Sequence, residues 1–177
     1  MNWKEFKPVI YFLLRFLGIY LIGNLLYGLF ITSFEPGVDP ITYWVTNHTA
    51  FLMRLFNYQA EAQALIDKNI ADLLVNNKVA LSVYEGCNGV NVWIIFVAFL
   101  FALGPISSKL WYFLGVGTVI IHISNLVRIF LLAIVYMYLP HYWYFSHKYL
   151  FTAFIYVIVF ILWLIWVRQQ LRYAKQQ

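Results

Sequence analysis

Three side chains in this sequence have the chemistry needed for acyl transfer from a peptide bond: Cys87, Arg128 and His147. A thiolate attacks a carbonyl carbon, and an imidazole gives a proton to the leaving amine and later activates the incoming nucleophile. A guanidinium stabilises the oxyanion of the tetrahedral intermediate, most strongly where the dielectric constant is low. We therefore take these three residues as the candidate catalytic set.

Each of the three also has a structural interpretation. A lone cysteine is most often a small buried hydrophobe, but Cys87 lies in the polar loop Glu85-Gly86-Cys87-Asn88-Gly89 where a helix begins. A helix N-terminus is expected to lower a thiol pKa. Arg128 could reach the headgroups as an interfacial cation. However, it interrupts an apolar run, where charges are costly and usually functional.

Other polar residues around this set have supporting or competing roles. Asn125 stands one turn before Arg128 and either orients it or makes a helix–helix hydrogen bond. His141 has a depth similar to that of His147 and is its main rival as the catalytic histidine. His122 is expected to be a packed, hydrogen-bonded residue, and His48 to be uninvolved.

The composition requires that these residues be positioned by membrane helices. Hydrophobic residues make up 63% of the 177 residues and charged residues only 11%, against about 25% charged residues in a soluble domain. This excludes a soluble globular enzyme and a disordered chain. We expect one membrane-embedded domain over residues 1–177, of the all-α integral membrane class.

Four apolar segments are long enough to cross a bilayer, with flanking residues in one case. They cover about residues 8–31, 88–104, 110–139 and 148–167, and Gly104-Pro105 breaks the chain between the second and third. The first is too long for a signal-peptide core and is expected to be retained. Four spans put both termini on the same side of the membrane.

The distribution of charge orients these spans. The terminal segments and the turn at Lys109 carry a net charge of about +6, and the opposite side about −1. The positive-inside rule therefore predicts that both termini are cytoplasmic. The basic pI is then a topology signal, and nucleic acid is not an expected partner. Cys87, Arg128 and His147 all fall near the outer face, because Arg128 lies about 27 Å along its helix from Leu110.

The outer segment between the first two spans also shows structure. Ile41, Trp44, Val45, Leu52, Leu55 and Phe56 fall near one helical face, which predicts a helix at the membrane surface. Alternating residues after the pair Asn76-Asn77 predict a short β-hairpin over about residues 70–84.

Other chemistries find no support in the sequence. The histidines lack close ligand spacing and Cys87 has no cysteine partner, so a metal site is not expected. The sequence has no Gly-x-Ser-x-Gly elbow, Walker-type loop or dinucleotide loop. We expect no cofactor.

The ordered set of motifs resembles the exosortase/archaeosortase family of membrane cysteine transpeptidases. The matching pieces are Glu85-Gly86-Cys87-Asn88-Gly89, then Asn125-Leu126-Val127-Arg128, then His147 ahead of the last span. The resemblance covers roughly residues 79–165. It implies catalytic Cys87, Arg128 and His147, supported by Asn125, Asn88, Gly89 and Glu85. It also implies a bacterial inner membrane location with the active site at the periplasmic face.

The same resemblance implies the substrates and shows two departures. Family members process exported proteins that carry a C-terminal sorting signal, namely a short motif, a transmembrane helix and a basic tail, and pass them to an acceptor. Asn88 stands where the family usually has Ser. About four spans replace the usual eight or so, which resembles the short exosortase F-type branch.

Two further functions remain open on the sequence. A non-enzymatic membrane scaffold would use the same hydropathy and leave Cys87 inert. A simple intramembrane protease would use the same three residues and release its product to water.

Overall fold

The computed structural model describes residues 3–104 and 106–174, so Pro105 of the predicted break lies outside the described residues. Its main helices are α1 (Trp3–Thr32), α2 (Pro40–Leu55), α3 (Val90–Leu103) and α4 (Ser108–Tyr138). The strands are β1 (Ala60–Ala64), β2 (Ile70–Val75) and β3 (Lys78–Tyr84). A 3₁₀ turn (Pro140–Tyr142), one α-helical turn α5 (Trp143–Phe145) and a π-helical turn (Ser146–Leu150) lead into α6 (Phe151–Ala174).

Within the described residues, three helical segments are long and apolar enough to cross a membrane: Phe6–Thr32, Ser108–Tyr138 and Pro140–Arg172. Two of them match the first and third predicted spans. The last begins earlier than the predicted residue 148, because helical turns continue through the aromatic segment after Pro140. The predicted second span is α3, which has only 14 residues. At about 21 Å it is shorter than a hydrocarbon layer of about 30 Å.

The long helices form an antiparallel bundle around α3. Gly23 of α1 faces Ile94 near the start of α3, whereas Phe12 contacts Phe99 further along it. Trp166, near the end of α6, packs against Gly104 after α3. The N-terminal end of α1 and the C-terminal end of α6 therefore lie at the same end of the bundle as the turn between α3 and α4. Cys87 lies at the opposite end.

A three-stranded antiparallel sheet in the order β1-β2-β3 lies at the other end of the bundle. The hairpin predicted over residues 70–84 is confirmed as β2 and β3. Asn76 and Asn77 have φ of 51° and 61°, as a two-residue type I′ turn requires. The protein is mostly helical as expected, but the sheet is larger than the predicted hairpin, because β1 adds a third strand. The strand AEAQA carries few of the β-branched residues that mark strands.

The predicted outer helix is present as α2, but the residues it buries differ from those predicted. Its buried side chains are Thr42, Val45, Thr46, Thr49, Ala50 and Met53. Among the residues of the predicted face, Val45 is buried, whereas Trp44, Leu55 and Phe56 are at least half exposed. The predicted face therefore divides: Ile41 and Leu52 are half-buried beside Val45, while Trp44, Leu55 and Phe56 point outward. Small and hydroxyl side chains make up most of the face that packs inward.

Two hydrophobic clusters hold this architecture. The inner one joins α3 to α6 and to the first half of α4, around Phe96, Leu110 and Trp166. The outer one joins the sheet and α2 to the second half of α4, and it includes Cys87. The candidate nucleophile thus lies at the junction of sheet and bundle.

The tight packing of α3 against α4 generates a stability prediction. A Cβ at Gly117 would overlap the ring of buried Phe96, whereas a Cβ at Gly115 on the same helix would meet nothing within 4 Å. Overpacking typically costs about 1–3 kcal/mol. Gly117→Ala should therefore lower the apparent melting temperature in detergent by several degrees, and Gly115→Ala should not. Equal melting temperatures for the two variants would contradict this packing.

Candidate active site

One cavity of about 330 Å³ brings together Cys87, Arg128 and His147 from three separate parts of the chain. Its remaining lining comes from β3 and α4, with Trp143 of α5: Val79, Ala80, Leu81, Ser82, Val83, Tyr84, Ile129, Leu132, Tyr136 and Trp143. The three candidate residues are 41 and 19 positions apart in sequence. The fold brings them together because β3 leads directly into Cys87 while α4 and the π-helical turn pass beside it.

Cys87 and His147 form the closest candidate pair. The Cys87 Sγ lies 3.9 Å from the His147 Nε2. The ring of His147 stacks on Trp143, one helical turn earlier, with centroids 5.4 Å apart and planes 12° apart. The π-helical turn over Ser146–Leu150 widens the helix at this point, as π-bulges frequently do at functional sites. His147 is therefore held by an aromatic face on its own helix.

Asn125 connects the cysteine loop to the arginine. Its Nδ2 donates to the Cys87 carbonyl oxygen at 3.0 Å, and its Oδ1 accepts from Arg128 Nη1 at 3.4 Å. Asn125 and Arg128 are 1% and 8% exposed. The amide therefore contacts Arg128, as one of the two expected roles requires, and its other bond goes to the loop before α3 and not to another helix. The buried Nε of Arg128 has no hydrogen-bond partner among the described residues.

Asn88 and Gly89 shape the loop on the other side of the cysteine. The Asn88 Nδ2 donates to the Tyr27 hydroxyl at 2.7 Å and to the Thr42 hydroxyl at 2.9 Å. Its Oδ1 accepts from Val90 N at 3.0 Å. One side chain thus joins α1 and α2 to the first turn of α3, a span that a shorter serine would not bridge.

Gly89 meets two constraints at the start of α3. Its φ of 87° lies in the left-handed region, which costs other residues about 1–2 kcal/mol. A Cβ here would also lie 3.1 Å from the Asn125 Nδ2. Gly89 therefore allows Asn125 to approach the Cys87 carbonyl.

The electrostatics of Cys87 correct one sequence-based expectation. Burial raises the pKa of the Cys87 thiol above its ordinary value, although the Arg128 charge and the Tyr84 hydroxyl both act to lower it. A helix N-terminus alone does not outweigh this loss of solvation. The Cys87 thiol therefore needs a proton acceptor, and His147 is within reach.

Tyr84 is a site residue that the sequence analysis missed. Its backbone oxygen accepts from the Cys87 N–H at 2.8 Å, and the Cys87 charge is the main cause that raises the pKa of the Tyr84 hydroxyl. Gly86 makes room for it, because a Cβ there would overlap the Tyr84 ring. Tyr84 lies only three residues before Cys87, which could have indicated a contact. The sequence analysis used it only as part of the alternating pattern of a strand. Trp143 was also missed, although a residue four positions before His147 is its neighbour on a helix.

The other histidines lie away from Cys87. His141 is exposed and contacts Tyr142. His122 is packed as expected, with its Nε2 3.3 Å from the Nδ1 of His48. His48 is therefore paired with His122 beside Trp44, outside the cavity that contains Cys87. Glu85 contributes its backbone oxygen, which accepts from the Tyr27 hydroxyl at 3.4 Å.

Within 3–104 and 106–174, no three His, Cys, Asp or Glu side chains are grouped so that they could hold a metal ion.

The opposing effects on Cys87 give a pH prediction. Removing a cation that stabilises the thiolate raises the thiol pKa. Arg128→Gln should therefore move the inflection of the Cys87 alkylation rate to higher pH, and Arg128→Lys should restore part of it. Tyr84→Phe should shift it in the same direction by less. Iodoacetamide rates measured from pH 6 to 11 in detergent provide the test, and an Arg128→Gln profile identical to wild type would remove Arg128 from the surroundings of the thiol.

Comparisons with known proteins identify the family. The sequence model described as "Transmembrane exosortase (Exosortase_EpsH)" matches residues 9–164, which is most of the chain and includes all three candidate residues. Searches of curated proteins and of solved structures gave no match. The long apolar helices agree with the integral, multi-pass membrane location that this family implies. The chain belongs to the transmembrane exosortase family.

Proposed function

We propose that this protein is a membrane-embedded cysteine transpeptidase that cleaves C-terminal sorting signals from exported proteins and transfers them to an acceptor. Membership of the exosortase family supports the reaction class. The single observation that carries the proposal is the 3.9 Å approach of the Cys87 Sγ to the His147 Nε2, within a cavity that also contains Arg128. Acyl transfer by a buried thiol of raised pKa makes use of an imidazole and a guanidinium beside it. A cysteine that serves only for packing requires neither group.

The proposed reaction begins with proton transfer from Cys87 to the neutral His147 imidazole as the sulfur attacks the scissile carbonyl carbon. The oxyanion that forms is stabilised by the Arg128 guanidinium, which Asn125 orients. When the C–N bond breaks, His147 returns the proton to the leaving amine, and a thioester remains on Cys87. His147 then removes a proton from the acceptor as the acceptor attacks the thioester, and it returns that proton to the departing Cys87 thiolate.

Orientation and subtype form the second part of the proposal. Both termini face the cytoplasm, in agreement with the charge asymmetry. The site lies at the outer face, at the end of the bundle opposite the described ends of α1 and α6. We further assign the chain to the short exosortase F-type branch, as a single domain in which α3 serves as a fourth, shorter span. Its 14 helical residues are extended at one end by the loop that carries Cys87.

The proposed orientation predicts labelling from outside the cell. Cys87 lines an outward-facing cavity in this orientation, so a small membrane-impermeant maleimide should react with it in intact cells. Cys87→Ala is the control for labelling of other proteins. Reaction seen only after lysis would contradict the orientation.

The catalytic proposal predicts the effect of three substitutions on processing. Cys87→Ala and His147→Ala should each abolish it, because nucleophile and proton carrier are lost. His141→Ala is the matched control, since this exposed histidine lies outside the cavity, and it should keep most of the activity. The measurement is mass spectrometry of the C-termini of exported proteins in cells expressing each variant at equal membrane levels.

The same spectra separate the competing functions. New C-termini joined to an acceptor support transfer, and free carboxylates indicate hydrolysis by the same cysteine. Unchanged processing in Cys87→Ala would favour the non-enzymatic scaffold. Loss in His141→Ala with normal processing in His147→Ala would reverse the assignment of the histidine.

A further inference from the structure

The cavity that contains Cys87 is bounded on one side by the edge of the β-sheet. Within the described residues the strand order is β1-β2-β3, so β3 pairs with β2 on one side and with no strand on the other. In an antiparallel ladder, alternate residues direct their N–H and C=O groups away from the neighbouring strand. This alternation is regular over residues 81–84, the part of β3 nearest Cys87, because the pairing with β2 shifts register only between Leu73 and Leu74. The free side of β3 therefore presents backbone donors and acceptors that can pair with another chain.

This free edge faces the cavity. The lining includes every residue from 79 to 84, although successive side chains in a strand point to opposite faces of the sheet. A cavity that touches all of them meets the strand from its edge and not from one face. The run is about 17 Å long at strand spacing.

The opposite wall is suited to an extended chain. It consists of apolar and aromatic side chains on α4 and α5, Ile129, Leu132, Tyr136 and Trp143. Arg128 and His147 are the basic side chains that α4 and the π-helical turn add to the lining, which also contains Cys87. Away from the cysteine, the described lining offers backbone hydrogen bonds and apolar contact and has no acid or base for a charged side chain.

We propose that the free edge of β3 binds the peptide segment before the scissile bond as an added parallel strand whose carboxyl end reaches Cys87. This inference rests on the proposed function and adds the mode of substrate recognition. β3 runs toward Cys87, and the acyl half of the substrate must end there in the attacked carbonyl. The half after the scissile bond leads into the membrane helix, so the acyl half lies along the sheet.

Peptides with minimal side chains test this recognition through the backbone. The probes are acetyl-Ala, acetyl-Ala₂ and acetyl-Ala₄ chloromethyl ketones, in which the Cys87 thiolate displaces chloride to form a C–S bond. Strand addition predicts that the rate constant for Cys87 alkylation rises from the first to the last on the order of tenfold, since the longer probes form additional backbone hydrogen bonds with β3. Iodoacetamide measures the intrinsic reactivity of the same thiol, and Cys87→Ala is the blank.

N-methylation of single residues in the acetyl-Ala₄ probe gives the sharper test. Only alternate N–H groups of an added strand point to the sheet. N-methylation should slow labelling about fivefold or more at alternate positions and have little effect at their neighbours, which serve as internal controls. Rates independent of length, or N-methyl effects without alternation, would overturn the inference.

A second measurement does not need a reactive thiol. In Cys87→Ala, acetyl-Ala₄ with a diazirine in place of the chloromethyl ketone should crosslink to β3 or to the α4 wall between Arg128 and Tyr136. Crosslinks confined to other segments would contradict the inference. So would crosslinking of these residues by a palmitoyl diazirine that acetyl-Ala₄ amide does not compete away, because an acyl chain would then be the occupant.

These results are distinguishable from failure of the proposed function. If Cys87→Ala abolishes processing but the peptide probes show neither length dependence nor alternation, only the strand-addition inference is wrong. If Cys87→Ala still processes exported proteins, the proposed function is wrong whatever the probes show.

Discussion

The paired hydrogen bonds of Asn125 are the interaction on which the candidate site depends. Asn125 lies inside an apolar helix, where an unpaired amide would be costly. It meets this constraint by donating to the Cys87 carbonyl oxygen and accepting from Arg128. Asn125 thereby holds the loop that carries Cys87 beside Arg128, and Gly89 leaves the space in which Asn125 approaches that loop. Asn88 connects the same loop to α1 and α2 through the Tyr27 and Thr42 hydroxyls. The loop around Cys87 is therefore hydrogen-bonded to α1, α2 and α4 and follows directly from the sheet at β3.

The elements with long or regular patterns could be predicted from the sequence. The lengths of the apolar runs in α1 and α4 match the thickness of a bilayer, so these helices could be recognised directly. The Asn76-Asn77 pair tolerates the left-handed φ values of a hairpin turn, so the hairpin could be recognised as well. β1 could not be predicted, because AEAQA becomes a strand through pairing with β2. The buried face of α2 was missed because its threonines satisfy their hydroxyls on the helix itself, for example Thr46 on the Thr42 carbonyl oxygen. They can then pack inward like small apolar residues.

The residues of the candidate site were found by type and depth, but their mutual geometry was not. Helical rise indicated that Cys87, Arg128 and His147 share a layer of the membrane. It did not distinguish His147 from His141, because that difference arises from continuous helical turns after Pro140 that point one ring toward Cys87 and the other outward. The raised pKa of Cys87 was also not foreseen, since burial depends on tertiary packing around the thiol. Tyr84 could be recognised as a neighbour of Cys87 only from the structure, in which β3 ends beside the cysteine.

The central claim is that Cys87 carries the substrate covalently during the reaction, and trapping that intermediate tests it most directly. Membranes from cells that process exported proteins should be quenched in acid, and the Cys87 peptide analysed by mass spectrometry before and after neutral hydroxylamine. The account predicts a substrate fragment attached to Cys87 as a thioester, released by hydroxylamine, and absent from Cys87→Ala membranes. Continued processing in Cys87→Ala membranes, or a covalent intermediate that forms on another residue, would contradict it.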